Sequence, residues 1–173
     1  TSAVSWCFSE PQSWMFEACT DDQIERYILR MMRGELKDCY AITEAGPGSD
    51  VAGIEATAQK DGDDYILNGE KWYVTSANLA DFFWFQAILP DESDEALFLV
   101  DQGTPGIEMT DNPLFSHTYA AHHPTYRFDN VRVPAGQRVG QPGDGMAYTH
   151  SWFRHERLMI GARSCGAAAR LIE

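Results

Sequence analysis

Residues 65–75 read YILNGEKWYVT, and this stretch holds an Asn-Gly step between two apolar runs. Asn68-Gly69 in this setting is a strong signal for a tight β-hairpin turn. The sequence therefore predicts that two strands of an antiparallel β-domain meet here. The stretch DGDD, residues 61–64, predicts another turn just before them.

Short apolar or alternating stretches continue this pattern on both sides. They are CYAIT (39–43), IEATAQ (54–59), DFFWFQAIL (81–89), ALFLVD (96–101) and TYRFDNVRVP (125–134). About seven short strands separated by turn residues are typical of a β-sandwich or barrel. Strands and helices do not alternate, which argues against a doubly wound nucleotide-binding fold.

Helical patterns flank the predicted β-domain. Residues 10–34 predict a helix, in which Thr20 and Gln23 match a capping box and Gly34 ends the run. After GQPGDG (140–145) a helical pattern returns. The predicted fold class is α+β, with a central antiparallel β-barrel or sandwich between helical segments. The first residue is Thr1 and the last residues still follow a helical pattern, so we expect a fragment of a longer chain.

The composition excludes some kinds of partner. A formal net charge of -13 disfavours binding to nucleic acid or an anionic membrane, since both need basic surface. No apolar run approaches the ~20 residues of a membrane span. Four widely spaced cysteines without a C-x-x-C indicate a reduced, intracellular protein. His122 and His123 would face opposite sides of a strand, so we expect no metal site.

The stretch TEAGPGSD, residues 43–50, follows an apolar strand and cannot fill a core. Gly46 and Gly48 permit positive φ or a close approach of a ligand to the backbone. Thr43 and Ser49 offer hydroxyl groups, and exposed amides in such a turn can bind an anion. From these residues alone, a plain turn and a ligand-binding loop are both open.

Five motifs stand in the order and spacing of the acyl-CoA dehydrogenase family. They are CYAITEAGPGSDVAGIEATA (39–58), YILNGEKWYVTSANLADFF (65–83), FLVDQGTPGIE (98–108), FDNVRVPAGQRVG (128–140) and ERLMIGARSCGAA (156–168). The chain resembles this family over nearly its whole length. The resemblance implies that residues 1–37 end an N-terminal helical domain, residues 38–142 form a middle β-barrel domain, and residues 143–173 begin a C-terminal helical domain.

The resemblance also implies FAD as the cofactor. Ile42 and Thr43 match residues at the pyrimidine edge of the flavin, Tyr73 matches an aromatic residue over one flavin face, and Thr75 matches a hydroxyl residue near N5. Trp72 is expected to point to the other face and to pack in the hairpin. The full set of implied flavin contacts is Tyr40, Ile42, Thr43, Gly48, Ser49, Tyr73, Val74 and Thr75.

For the substrate, the resemblance implies an acyl-CoA thioester. Glu156 matches the catalytic base of the branch that resembles isovaleryl-CoA and long-chain dehydrogenases, whereas most of the family places this base later in the C-terminal domain. The alternative is a surface glutamate paired with Arg154 or Arg157 on its own helix. The implied acyl-CoA contacts are Ser49, Arg154, His155 and Arg157.

The implied reaction is α,β-dehydrogenation of an acyl-CoA to the trans-2-enoyl-CoA, with hydride transfer to FAD N5. The resemblance further implies a homo-oligomer, dimer or tetramer, with an electron-transfer flavoprotein as acceptor, in the bacterial cytoplasm or the mitochondrial matrix. Alternatives are an acyl-CoA oxidase, a relative of the nitroalkane oxidase or monooxygenase type, and a non-catalytic relative. A non-catalytic relative is disfavoured, because the chain retains Thr43, Ser49, Thr75 and Arg157. The isolated fragment is expected to be inactive.

Overall fold

The computed structural model describes residues 11–92, 94–116, 120 and 122–172. Helices lie at both ends of this part of the chain. The N-terminal elements are α1 (Ser13–Ala18), α2 (Asp21–Gln23), a π-helical turn (Ile24–Ile28) and α3 (Leu29–Met32), and the C-terminal element is α4 (Gly145–Ile172). None of the described helices is long and apolar enough to cross a membrane.

The predicted capping box at Thr20 is confirmed. The Gln23 backbone N–H donates to Thr20 Oγ1 at 3.3 Å, and the Thr20 backbone N–H donates to Gln23 Oε1 at 3.0 Å. Because this cap starts a new helix, the single helix predicted for residues 10–34 is interrupted after Ala18. The helix does end at Gly34, whose N–H bonds to the Met31 carbonyl at 3.0 Å.

Eight strands form one sheet in the described chain. They are β1 (Asp38–Ala41), β2 (Thr57–Asp61), β3 (Asp64–Lys71), β4 (Phe82–Leu89), β5 (Asp94–Asp101), β6 (Ile107–Asp111), β7 (Thr125–Pro134) and β8 (Arg138–Val139). The order is β6-β7-β3-β2-β4-β5-β8, with β1 also paired to β4. The α+β class with flanking helices is confirmed. The expectation of a purely antiparallel barrel needs correction, because β4 pairs in parallel with both β1 and β2 and the described strands do not close.

The hairpin turn predicted at Asn68-Gly69 is wrong, whereas the turn predicted at DGDD is confirmed. Strands β2 and β3 pair with Asp61 opposite Asp64, so the chain reverses at residues 62–63. Asn68-Gly69 lies inside β3, where the register against β7 shifts between Leu67 and Gly69. Gly69 has a φ of +148°, and a Cβ there would lie 2.5 Å from Ala56 Cβ. The glycine therefore serves a β-bulge and a close strand approach.

Strand β4 is buried on both faces and divides the core in two. Phe83 and Phe85 face the interior of the β-domain, where Phe85 packs 4.4 Å from Phe128 between ring centroids. Phe82 and Trp84 face the helices, as the two-residue period of a strand requires. Helices α1–α3 and the start of α4 thus cover one face of β4 and β5.

Buried polar contacts fix both helical segments to the sheet. Gln23 Nε2 donates to the carbonyls of Gly136 and Arg138 at 2.8 and 2.9 Å. At the start of α4, Thr149 Oγ1 donates to Gln86 Oε1 at 2.7 Å. The bond from Thr149 fixes the start of α4 against β4, and from there the helix reaches the site described below.

Replacing Gly69 with alanine is expected to lower the free energy of unfolding by about 2–4 kcal/mol, from overpacking against Ala56 and from the positive φ. Denaturant unfolding measures the change. Gly136→Ala is the matched control, because its Cβ meets nothing within 4 Å, and it should change stability by about 0.5 kcal/mol or less. Equal effects of the two substitutions would contradict the bulge assignment.

Candidate active site

A cavity of about 410 Å³ opens where β1, the segment after β3 and α4 come together. This volume falls within the range of ~300–1,000 Å³ typical of small-molecule sites. The lining residues are Gln12, Lys37, Asp38, Cys39, Tyr40, Ile42, Thr43, Tyr73, Thr75, Ser76, Trp152, Phe153, Glu156, Met159, Ile160 and Arg163.

A buried ion pair fixes the loop that follows β1. Lys71 is fully buried, and its Nζ donates to Glu44 Oε1 at 2.7 Å and to the Ile42 carbonyl at 3.1 Å. The other bonds to the Glu44 carboxylate come from the backbone N–H groups of Glu55, at 2.6 Å, and Ala56, at 3.0 Å. Burial lowers the pKa of Lys71 to about 8, and Glu44 opposes this shift. Lys71 is therefore still protonated at neutral pH.

The segment after β3 is held in an uncommon backbone conformation. Tyr73 and Ser76 have φ values of +53° and +68°, in the left-handed region that costs non-glycine residues about 1 kcal/mol or more. The Trp72 N–H donates to the Thr43 carbonyl at 2.8 Å, which joins this segment to the loop after β1. With this backbone, the Tyr73 side chain lines the cavity while 55 % of the residue stays exposed.

Stacked aromatic rings form one wall of the cavity. The rings of Tyr40 and Trp152 are parallel within 2°, with centroids 3.9 Å apart, and Trp84 stacks behind Tyr40 at 5.9 Å. The Tyr40 hydroxyl is buried and has no hydrogen-bond partner among the described residues. Burial raises its pKa well above the ordinary value, and the carboxylates of Asp38 and Glu156 raise it further. This hydroxyl is therefore neutral, and none of the described residues satisfies it.

One face of α4 continues this wall from Trp152 onward. Trp152, Glu156, Met159 and Arg163 recur at helical spacing and point into the cavity. With Lys37 on the other side, the lining contains two cationic residues in a protein that is acidic as a whole. The site therefore combines flat apolar walls with a few convergent polar groups.

Several residues predicted to form the site do meet in this cavity. They are Tyr40, Ile42, Thr43, Tyr73, Thr75 and Glu156. Thr43 and Thr75 come from different strand ends yet share the same cleft. Their individual roles toward a ligand stay predictions.

Other predicted site residues lie outside the cavity lining. Gly48, with a φ of +59°, and Ser49 lie in the turn after Thr43, and Ser49 is exposed. The Val74 side chain is fully buried in the core, and its N–H donates to the Pro124 carbonyl at 2.9 Å.

Three residues of α4 point elsewhere because neighbouring helical residues differ by about 100° in direction. They are Arg154, His155 and Arg157, all exposed. The Arg154 Nε–H bonds to the His150 carbonyl at 3.4 Å, and Arg157 lies 5.3 Å from the Phe153 ring centroid. The alternative pairing of Glu156 with either arginine is absent among the described ion pairs.

Sequence reasoning missed most of the α4 wall. Trp152 and Ile160 lie four residues before and after Glu156, so helical spacing from Glu156 would have found them. No local signal marked Lys37 or Ser76. In the described ranges no group of three or more His, Cys, Asp or Glu side chains is placed to hold a metal ion.

Residues 39–131 match the family model described as acyl-CoA dehydrogenase, middle domain. The chain belongs to the acyl-CoA dehydrogenase family. The long-chain specific acyl-CoA dehydrogenase of Sus scrofa mitochondria is 31 % identical over 159 residues, which cover 89 % of this chain and 37 % of the relative. The chain thus spans little more than a third of that relative's length.

Solved structures in this family share the fold. A probable acyl-CoA dehydrogenase from Mycobacterium abscessus superposes with a TM-score of 0.75 at 31 % identity, over 80 % of this chain and 38 % of that one. The prolyl acyl carrier protein oxidase AnaB gives a TM-score of 0.68 at 37 % identity, over 74 % of this chain and 35 % of that one.

Lys71→Met is expected to lower the free energy of unfolding by about 3–5 kcal/mol, because Glu44 is left as a buried, unpaired charge. The double variant with Glu44→Gln should recover part of this loss, since no buried charge remains. Denaturant unfolding compares the variants. Lys60→Met, at an exposed lysine, is the matched control and should cost about 1 kcal/mol or less. A double variant no more stable than Lys71→Met would contradict the pairing.

Proposed function

We propose that the chain is the central part of a FAD-dependent acyl-CoA dehydrogenase that converts an acyl-CoA to the trans-2-enoyl-CoA. The observation that carries this proposal is that Thr43, Thr75 and Glu156 line one cavity. Two of these residues belong to the predicted flavin edge, and the third is the predicted base. Membership of the acyl-CoA dehydrogenase family supports the same reaction.

The residues of the cavity fit a flavin. The Tyr40 hydroxyl is a buried donor without a partner among the described residues, and the aromatic residue Tyr73 lines the same cavity. A Cβ at Gly46 or Gly48 would meet nothing within 4 Å, so open space borders this turn, as an extended ligand requires. Ile42 and Thr43 would hold the pyrimidine edge, Gly48 and Ser49 the diphosphate, and Tyr73 and Thr75 the ring face and N5. Val74 would not contact the flavin, because its side chain lies in the core and both its backbone groups are bonded within the protein. Bound FAD supplies the acceptor for the hydride that leaves the substrate β-carbon.

Glu156 is the proposed base for the α-proton of the acyl-CoA. Its carboxylate stands on the α4 wall, near enough to Tyr40 to raise the pKa of that hydroxyl. As the α-proton passes to Glu156 Oε, the electron pair of the Cα–H bond forms the new double bond. The aromatic residues Tyr40, Trp152 and Phe153 lie beside Glu156 in the cavity lining. Ser49, Arg154, His155 and Arg157 are proposed to contact the CoA portion outside the described cavity.

The proposal extends to the whole protein. Residues 1–37 end an N-terminal helical domain, 38–142 form the middle domain and 143–173 begin a C-terminal helical domain. The full protein forms a dimer or tetramer in the bacterial cytoplasm or the mitochondrial matrix. It passes electrons to an electron-transfer flavoprotein.

A second candidate is an oxidase that acts on a carrier-bound acyl group. The observation in its favour is the 37 % identity to the prolyl acyl carrier protein oxidase AnaB. Reduced flavin that is reoxidised rapidly by oxygen would favour this candidate. Slow reoxidation by oxygen but fast reoxidation by an electron-transfer flavoprotein would favour the dehydrogenase.

Glu156→Gln in the full-length protein is expected to slow anaerobic bleaching of the flavin by an acyl-CoA about 10²–10⁴-fold, because the amide cannot take the α-proton. Stopped-flow absorbance, run against a panel of acyl chains, measures the rate. Substrate binding should persist, since the amide keeps the shape of the side chain. Glu25→Gln, at an exposed glutamate of the N-terminal helices, is the control. Normal bleaching by Glu156→Gln would place the base elsewhere.

A further inference from the structure

His123 lies directly behind a hydroxyl group of the cavity. Its Nδ1 is 2.9 Å from Thr75 Oγ1. Thr75 lines the cavity, whereas His123 is not among the described lining residues. The imidazole is therefore placed to act on a bound molecule through Thr75.

Backbone bonds on both sides hold this pair in register. The Val74 N–H donates to the Pro124 carbonyl at 2.9 Å, and the Ser76 N–H donates to the His122 carbonyl at 2.8 Å. Val74 and Ser76, which flank Thr75, are thus bonded to Pro124 and His122, which flank His123. The Phe115 ring packs edge-on against the imidazole, with centroids 4.9 Å apart. Such support from surrounding groups fixes the direction of a hydrogen bond.

The Thr75 hydroxyl has one proton and two neighbouring acceptors. The Tyr73 carbonyl lies 3.4 Å away, near the limit of a hydrogen bond, whereas His123 Nδ1 lies at an ordinary 2.9 Å. In the neutral imidazole tautomer that carries its proton on Nε2, the Thr75 hydroxyl donates to His123 Nδ1. The lone pairs of Thr75 Oγ1 then remain to accept a bond from a molecule in the cavity.

We propose that His123 is a positioning residue that fixes the Thr75 oxygen as a hydrogen-bond acceptor toward the flavin. This inference rests on the proposed function, in which Thr75 lies beside flavin N5. Oxidised N5 carries only a lone pair, whereas reduced N5 carries an N–H. An acceptor held at Thr75 consequently favours binding of reduced over oxidised FAD.

The test measures dissociation constants for FAD and for dithionite-reduced FAD, both anaerobically, on the full-length protein. Both constants are measured at pH 8.5, about two units above the unperturbed imidazole pKa of about 6.5. His123→Leu removes the acceptor, and His123→Gln carries its polar atoms beyond the Nδ1 position. Each should reduce the preference for reduced FAD by about fivefold, the effect of one hydrogen bond. His123→Asn, whose Oδ1 takes the place of Nδ1, should stay within about twofold of the parent.

A double-mutant cycle separates this role from a structural one. Thr75→Val removes the hydroxyl, so His123→Leu and His123→Gln should have no further effect on the ratio of dissociation constants in that background. An unchanged ratio in both single His123 variants, or the same fivefold change in the Thr75→Val background, would overturn the inference. Failure of the parent protein to bind either form of FAD would instead overturn the proposed function.

Discussion

A buried ion pair between a carboxylate and an ammonium group organises this molecule. Glu44 and Lys71 pair at 2.7 Å inside the protein, where two separate charges would be very costly. The pair joins three parts of the chain, because Glu44 also accepts from the backbone before β2 and Lys71 also donates to Ile42 at the end of β1. The residues next to both partners, Thr43 and Trp72, are bonded through their backbones. One polar contact thus sets the spacing of two cavity walls.

The third wall is attached by different forces. Helix α4 begins with a polar bond from Thr149 to Gln86 and then meets β1 through the parallel rings of Trp152 and Tyr40. Ring stacking adds roughly 0.5–1.5 kcal/mol beyond the burial of apolar area and orients the two planes. The hydroxyl of Tyr40 and the carboxylate of Glu156 are held beside this stack, so apolar packing positions the polar groups of the site.

The sequence predicted local structure correctly wherever one physical cause determined it. Thr20 and Gln23 form the capping box that their spacing indicates. DGDD forms a turn because Gly62 adopts a φ of +63°, which glycine reaches without strain. The hairpin prediction at Asn68-Gly69 was wrong because glycine permits both a hairpin turn and a β-bulge. Only the proximity of Ala56 decides between the two. Parallel pairing between β1 and β4 joins residues that are 44 positions apart, as Asp38 and Phe82 are, and the sequence carries no short-range signal for such a pairing.

The sequence predicted only part of the site, because contacts between distant parts of the chain leave no local signal. The resemblance identified Thr43, Tyr73 and Thr75 as residues of one site, and all three line the cavity. On α4 it pointed to a run of neighbours, Arg154 to Arg157, although a helix turns only one of these toward the cavity. His123 had been weighed only as a metal ligand, since nothing in the chain order shows that it stands behind Thr75.

The lining of the cavity is drawn from residues 37–43, 73–76 and 152–163, together with Gln12. No contiguous piece of the gene encodes it. One core cluster lies within the sheet, whereas the cavity also needs residues of the last helix. The evolutionary origin of the sheet and that of the cavity are therefore separate questions. A domain boundary placed near residue 142 assigns the cavity lining to two domains, with residues 37–43 and 73–76 on one side and 152–163 on the other.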